Sequence, residues 1–293
     1  MKNFRKVLLI ISVLFTSSLV AKVNTVVSIV PQKLIVESIG GELVNVSVMV
    51  LPGNSPHSYE PKASQMKDLN DAKIYFAIGV EFENAWLKRF QNQNKSLKIV
   101  DTAKGIEKIS MVEHHHEEDE HEDHGHQHHD HDDESKDPHV WTSTQNIKVI
   151  AKNIYNELIS IDSQNSETYE ANYKLLINKI DSVQSQIKEI LKDTPKDSKF
   201  MVFHPAWGYF AHEYGLIQIA VEVEGKEPKP AVLVELIKEA REENIKAIFT
   251  QPEFSDKSAK VIADELGIKV IKASPLNPNW DENLINLAKA ISN

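Results

Sequence analysis

With no cysteine among its 293 residues, the chain can form neither disulfides nor thiolate metal sites, so any metal it holds must rest on histidine and carboxylate. Its net charge of −10 is concentrated in residues 113–137, which carry −11 from twelve acids against the single Lys136, while the N-terminal stretch carries +3. What remains is nearly neutral and shows no basic aromatic surface, which excludes a nucleic-acid partner.

The length suits two domains of ordinary size. Residues 1–21 have a basic start (Lys2, Arg5, Lys6) and an apolar run from Val7 to Phe15. Small residues follow, ending in Leu19-Val20-Ala21. That composition predicts a secretory signal peptide cut after Ala21, since the run is too short to span a bilayer. A lipid anchor would need a cysteine at the cut, so a soluble periplasmic product is expected.

Short β-branched runs then alternate with helical patterns. Strands are predicted at 25–30, 44–51, 73–78 and 97–100, and helices at 32–39, 62–69 and 83–90. This alternation argues a parallel sheet covered by helices. Glu113 to Asp137 interrupts it with nine of the thirteen histidines: His114, His115, His116, His121, His124, His126, His128, His129 and His131. No core-forming residue lies in that run, which reads as a flexible collector of borderline divalent ions such as zinc, copper and nickel.

Beyond the collector, residues 145–161 form an amphipathic pattern, followed by an uninterrupted helical stretch from Ser166 to Asp193, with Ser166 as its expected N-cap. Tyr169, Tyr173, Leu176, Ile180, Val183, Ile187 and Ile190 make one stripe on it. Twenty-eight residues would span about 40 Å, a rod between two lobes. The second half repeats the first, with strands at 199–204, 217–221, 246–250 and 269–272 and helices at 206–214, 231–244, 255–266 and 281–291. The expected fold is α/β. A signal peptide (1–21) precedes an N-terminal lobe (22–165), a linker helix (166–193) and a C-terminal lobe (194–293), each lobe holding a four-stranded, mainly parallel sheet.

Four histidines lie outside the collector. His57 follows a strand in Pro52-Gly53-Asn54-Ser55-Pro56-His57-Ser58-Tyr59-Glu60-Pro61, His139 precedes a helix in Asp137-Pro138-His139-Val140-Trp141, and His204 ends a strand in Phe203-His204-Pro205-Ala206-Trp207-Gly208. In open α/β sheets ligands gather where strands end, so these three are candidate joint metal ligands. His212 lies inside a helix and reads as a surface residue.

These three motifs, in this order, resemble the zinc-binding solute receptors of ABC importers, the ZnuA type, over residues 22–293. The resemblance implies two α/β lobes joined by a long rigid helix. It also implies a metal between them, with His57 and His139 from the first lobe and His204 from the second. Manganese-preferring relatives usually carry a carboxylate where His204 stands and an aspartate where Ser255 falls; both departures favour zinc. The relatives' Asp-Pro-Leu is here Ser274-Pro275-Leu276. Water, Glu253 or Asp256 remain open as a fourth ligand, and Glu60 and Asp137 as groups that orient imidazoles.

The expected function is a high-affinity periplasmic zinc receptor, a monomer that delivers Zn2+ as cargo to an ABC-type permease in the inner membrane. The alternatives are a manganese receptor of the same family, a metal buffer or adhesin, and a three-histidine zinc hydrolase. No His-Glu-x-x-His or similar base-bearing motif supports the enzyme.

Overall fold

A computed structural model describes residues 22–111, 136–223 and 225–292. The predicted signal peptide lies outside the described residues, as does all of the collector but its last two positions.

Strands β1 (Val23–Ile29), β2 (Val44–Val50), β3 (Ile74–Ala77) and β4 (Lys98–Asp101) form one sheet in the order β2-β1-β3-β4. Every pairing in it is parallel. Their Val and Ile runs are buried on both faces, as parallel strands under helices must be. Helices α1 (Val30–Gly40), α2 (Ala63–Asn70) and α3 (Glu81–Gln93) make the crossovers. Helix α1 stops at Gly41, whose φ of +52° is one that only glycine adopts cheaply.

The second sheet repeats the plan. Strands β5 (Lys199–Val202), β6 (Ile217–Ala220), β7 (Ala247–Thr250) and β8 (Lys269–Lys272) run parallel in the order β6-β5-β7-β8. Helices α6 (Gly208–Tyr214), α7 (Pro230–Glu242), α8 (Lys257–Leu266) and α9 (Trp280–Ser292) accompany them. In each sheet the strand order reverses beside the first strand, which opens a crevice at the carboxyl ends.

Between the sheets run α4 (Thr144–Ile161) and α5 (Ser166–Ile190). The 25 residues of α5 span about 37 Å. The predicted stripe is its buried face, and Leu176, Ile180, Val183 and Ile187 each contribute about 1.5–3 kcal/mol by burial. That face lies against α1 and α4 on one side and α9 on the other. Two expectations about this helix need correction. Ser166 is itself helical (φ −54°, ψ −39°), because a short 3-10 turn, Ser163–Asn165, already bends the chain into the rod. Asp162 anchors that entry instead, accepting from Asn165 Nδ2 at 2.7 Å and Tyr169 Oη at 2.6 Å. The helix also ends three residues early, the chain turning away at Leu191 toward Pro195.

The main hydrophobic cluster does not respect the division into two sheets. It runs from Val23 and Ile29 through Trp141, Ile154 and Ile180 to Trp207, Phe249, Leu284 and Ala288. A smaller cluster, with Met201, Phe203, Val221, Leu236 and Ile262, fills the far face of the second sheet. Among the described residues no helix is long and apolar enough to cross a membrane.

Candidate metal centre

The three predicted histidines come together. One ring nitrogen from each of His57, His139 and His204 lies within 4.8 Å of the others, the single such grouping of metal-ligating side chains among the described residues. His57 Nε2 is 3.0 Å from His204 Nε2, which is 3.3 Å from His139 Nε2. Tetrahedral zinc with bonds of about 2.0–2.1 Å would set its ligand nitrogens about 3.3 Å apart. The spacing fits.

Each ring arrives by a separate local device. His57 sits in the loop after β2, where buried Tyr59 donates to Gln65 Oε1 at 2.7 Å. Gln65 in turn holds the end of β2 through Val48 O at 2.9 Å. His139 stands just ahead of α4, in a tight turn closed by Val140 N to Pro138 O at 2.8 Å and Thr142 Oγ1 to His139 O at 2.9 Å. His204 follows β5 and is clasped by Gln251, which accepts from His204 N at 3.3 Å and donates to His204 O at 2.9 Å. Phe254 stacks on the imidazole at 4.5 Å, fixing its plane.

Behind every ring stands a carboxylate on Nδ1. Glu81 holds His57 at 2.9 Å, Asp137 holds His139 at 2.8 Å and Glu222 holds His204 at 2.7 Å. A carboxylate here only accepts, so Nδ1 carries the hydrogen and, in the neutral imidazole, Nε2 presents the bare lone pair. Three lone pairs therefore converge and cannot satisfy one another. Meanwhile the second oxygens of Glu81, Asp137 and Glu222 are buried without a partner. Buried negative charge beside converging lone pairs is the environment of a cation.

The close fit extends across the two sheets. A side chain at Gly208, at the start of α6, would meet the Asp137 carboxylate 2.6 Å away, so only glycine lets that carboxylate reach His139. Tyr209 donates to Asp137 O at 2.9 Å and accepts from Ile109 N at 3.3 Å, tying α6 to the turn that carries His139.

Some expected residues fall elsewhere. Glu60 is exposed and holds no imidazole; Glu81 has that role for His57. Asp137, the last residue of the histidine-rich run, is 1% exposed, and its N–H bonds Ile109 O at 2.9 Å. Asp256 pairs with Lys260 at 2.8 Å and Lys272 at 2.9 Å, so it is not free to be a fourth ligand. Glu253 accepts from Ser274 Oγ at 3.1 Å, keeps a buried unpartnered oxygen, and lies outside the three-histidine grouping. Ser255 and His212 are exposed. Glu81 and Glu222 were missed. The signal available for Glu222 was an acid placed directly after the apolar run Ile219-Ala220-Val221.

Electrostatics keep the site ready for a cation rather than a proton. Burial pushes His204 down to about 4; Glu222 opposes this, and the neighbouring His139 and His57 add to the lowering. In the unfolded chain a histidine titrates near 6.5. Unfolded protein thus takes up this proton first, and His204 contributes stability above about pH 6.5 that is lost as the pH falls toward 4. Urea unfolding of the metal-free protein should show the midpoint dropping across that window, less steeply in His204→Gln. Equal slopes in the two proteins would mean that other groups cause the loss.

Comparison with known proteins places the chain. Residues 25–292 match the family described as ZnuA, zinc-uptake complex component A periplasmic. The chain is 30% identical over 263 residues to zinc-binding protein AdcA of Streptococcus pyogenes serotype M3, covering 87% of this chain and 50% of the relative, so it spans about half of AdcA's length. It is 31% identical over 253 residues to the high-affinity zinc uptake system protein ZnuA of Bacillus subtilis, covering 85% of this chain and 76% of the relative. The manganese ABC transporter substrate-binding lipoprotein PsaA of Streptococcus anginosus is 27% identical over 248 residues, 80% of this chain and 74% of its own. Among solved structures, one described as the crystal structure of ZnuA superposes with a TM-score of 0.82 at 37% identity, covering 92% of this chain and 98% of the other.

Proposed function

Because the chain belongs to the ZnuA family of metal-binding receptors that serve ABC-type importers, we propose that its cargo is zinc, captured outside the cytoplasm and handed to a membrane permease. The relatives described above are named for zinc binding, zinc uptake or manganese transport, and the chain is a receptor rather than an enzyme. The observation that carries the zinc reading is the donor set: three imidazoles converge through Nε2, each oriented by a carboxylate that does not itself reach the other two rings. An all-imidazole set suits zinc, whereas manganese prefers oxygen donors. The manganese alternative is supported by relatives such as PsaA, whose identity to this chain is nearly as high.

In this reading residues 22–165 and 194–293 are the two lobes of a monomer, and 166–193 the link between them, helical as far as Ile190. His57 and His139 hold the ion from the first lobe and His204 from the second. The fourth position is taken by water or, after a side-chain rotation, by Glu253. A signal peptide at 1–21 sends the chain to the periplasm. The histidine-rich run at 113–137 serves as an accessory collector. Its histidines are adjacent or a few residues apart, so its ligand sets overlap and it binds more weakly than the built site.

The test is calorimetric titration and native mass spectrometry with zinc, on the mature chain and on a variant lacking residues 114–131. Both should take up one tightly held ion, and only the intact chain several weak ones. Loss of the tight ion with the deletion would refute the three-histidine site. A tight site that prefers manganese would leave the receptor and overturn its cargo.

A further inference from the structure

Glu213 has a role that neither its sequence neighbourhood nor the metal centre announces. It lies on α6, nine residues beyond His204, and its carboxylate points out of the second sheet's half toward the start of α4. Oε2 accepts from Ser143 Oγ at 2.6 Å and from Gln145 N at 3.3 Å. Oε1 accepts from Thr144 Oγ1 and, at 2.7 Å, from Gln184 Nε2 on α5. Four donors occupy the four lone-pair positions that a carboxylate offers.

The donors matter for what they are joined to. Ser143 is the N-cap of α4, four residues past His139, and also accepts from Asn146 N. The carboxylate thus sits on the amino end of α4, where the unpaired N–H groups and the helix dipole favour an anion. Burial raises the pKa of Glu213, but the bonds from Ser143, Thr144, Gln184 and Gln145 outweigh it and hold the group below the ordinary range, so it stays charged. No lysine or arginine is needed to neutralise it.

Together these contacts make one brace. His204 is joined to α6 through Pro205–Trp207, and His139 to α4 through Val140–Thr142. Glu213 fastens α6 to the first turn of α4 and fastens both to the rod. We propose that Glu213 is a positioning residue for metal capture. It sets the separation of His139 and His204, and so the coordination geometry and the rate of metal release, without touching the ion.

The proposal rests on the three-histidine reading, and its test separates the two. In Glu213→Gln an amide NH2 replaces an acceptor and faces donors, while the side chain keeps its size. Parent and variant, each with residues 114–131 deleted, are loaded with cobalt as a spectroscopic stand-in, and zinc release is followed against a chromophoric chelator. The variant should release zinc at least tenfold faster than the parent, with shifted or weakened cobalt visible bands. Parent-like bands and release would make Glu213 a structural residue only and overturn the proposal. If Glu213→Gln does not fold, Thr144→Val, which removes one of the four bonds and leaves the Ser143 cap in place, is read by the same criteria. A parent that holds no cobalt or zinc refutes the three-histidine site itself.

Discussion

Replacing His204 by alanine should weaken zinc binding by about a hundredfold to a thousandfold. Structural zinc sites are worth about 10–16 kcal/mol in total, or about 3 kcal/mol for each of four donors, and every 1.4 kcal/mol is tenfold in affinity. His204 is buried, as His139 is, and Phe254 and Gln251 already fix its ring, so little ordering remains to be done on binding. Removing it also leaves Glu222 buried without its imidazole, and part of any loss will be instability; circular dichroism of the metal-free variant separates the two. His212→Ala is the matched control, an exposed residue on the same segment. A competition titration in which His212→Ala loses zinc and His204→Ala does not would overturn the assignment of the second-lobe ligand.

Zinc should also raise the melting temperature of the collector-deleted protein by about 5–10 °C at a hundredfold excess over its dissociation constant. A ligand confined to the folded state adds about 2.7 kcal/mol under that condition, and a chain of this size gains about 2–4 °C per kcal/mol. Manganese at the same concentration should give a much smaller shift, because the converging donors are imidazoles and the nearby carboxylates are spent on orienting them. Equal shifts from both ions would remove the preference for zinc. The deletion matters here, since weak sites in the collector would blur the comparison.

The sequence carried the architecture because its signals are local. β-Branched runs of a few residues, a long helix without Gly or Pro, and histidines beside prolines at strand ends are all readable without knowing what lies opposite. The orienting carboxylates were harder. Glu81 opens α3, where an acid is ordinary for helix-dipole reasons, so nothing marks it as the partner of His57, 24 residues away. Glu222 reaches His204 only because β6 lies beside β5. Glu60 stands three residues from His57 in sequence, and adjacency misleads here: the loop that carries His57 turns Tyr59 inward and Glu60 out. Ser166 obeyed the capping rule on paper, yet the preceding 3-10 turn had already supplied the helix start. Glu213 was invisible for the same reason as Glu222, its four donors coming from α4 and α5.

The undivided core has a bearing on the order in which the polypeptide folds. Val23, near the start of the folded sequence, and Ala288, in the last helix, belong to the same apolar cluster, and α9 covers the rod on which α1 also rests. An emerging amino-terminal half would therefore lack part of the surface that encloses it, and the contacts it awaits are far away in sequence, a topology that slows folding. The arrival of α9 (Trp280–Ser292) closes the cluster, so the amino-terminal sheet is fully enclosed only once this carboxyl-terminal helix packs on the rod.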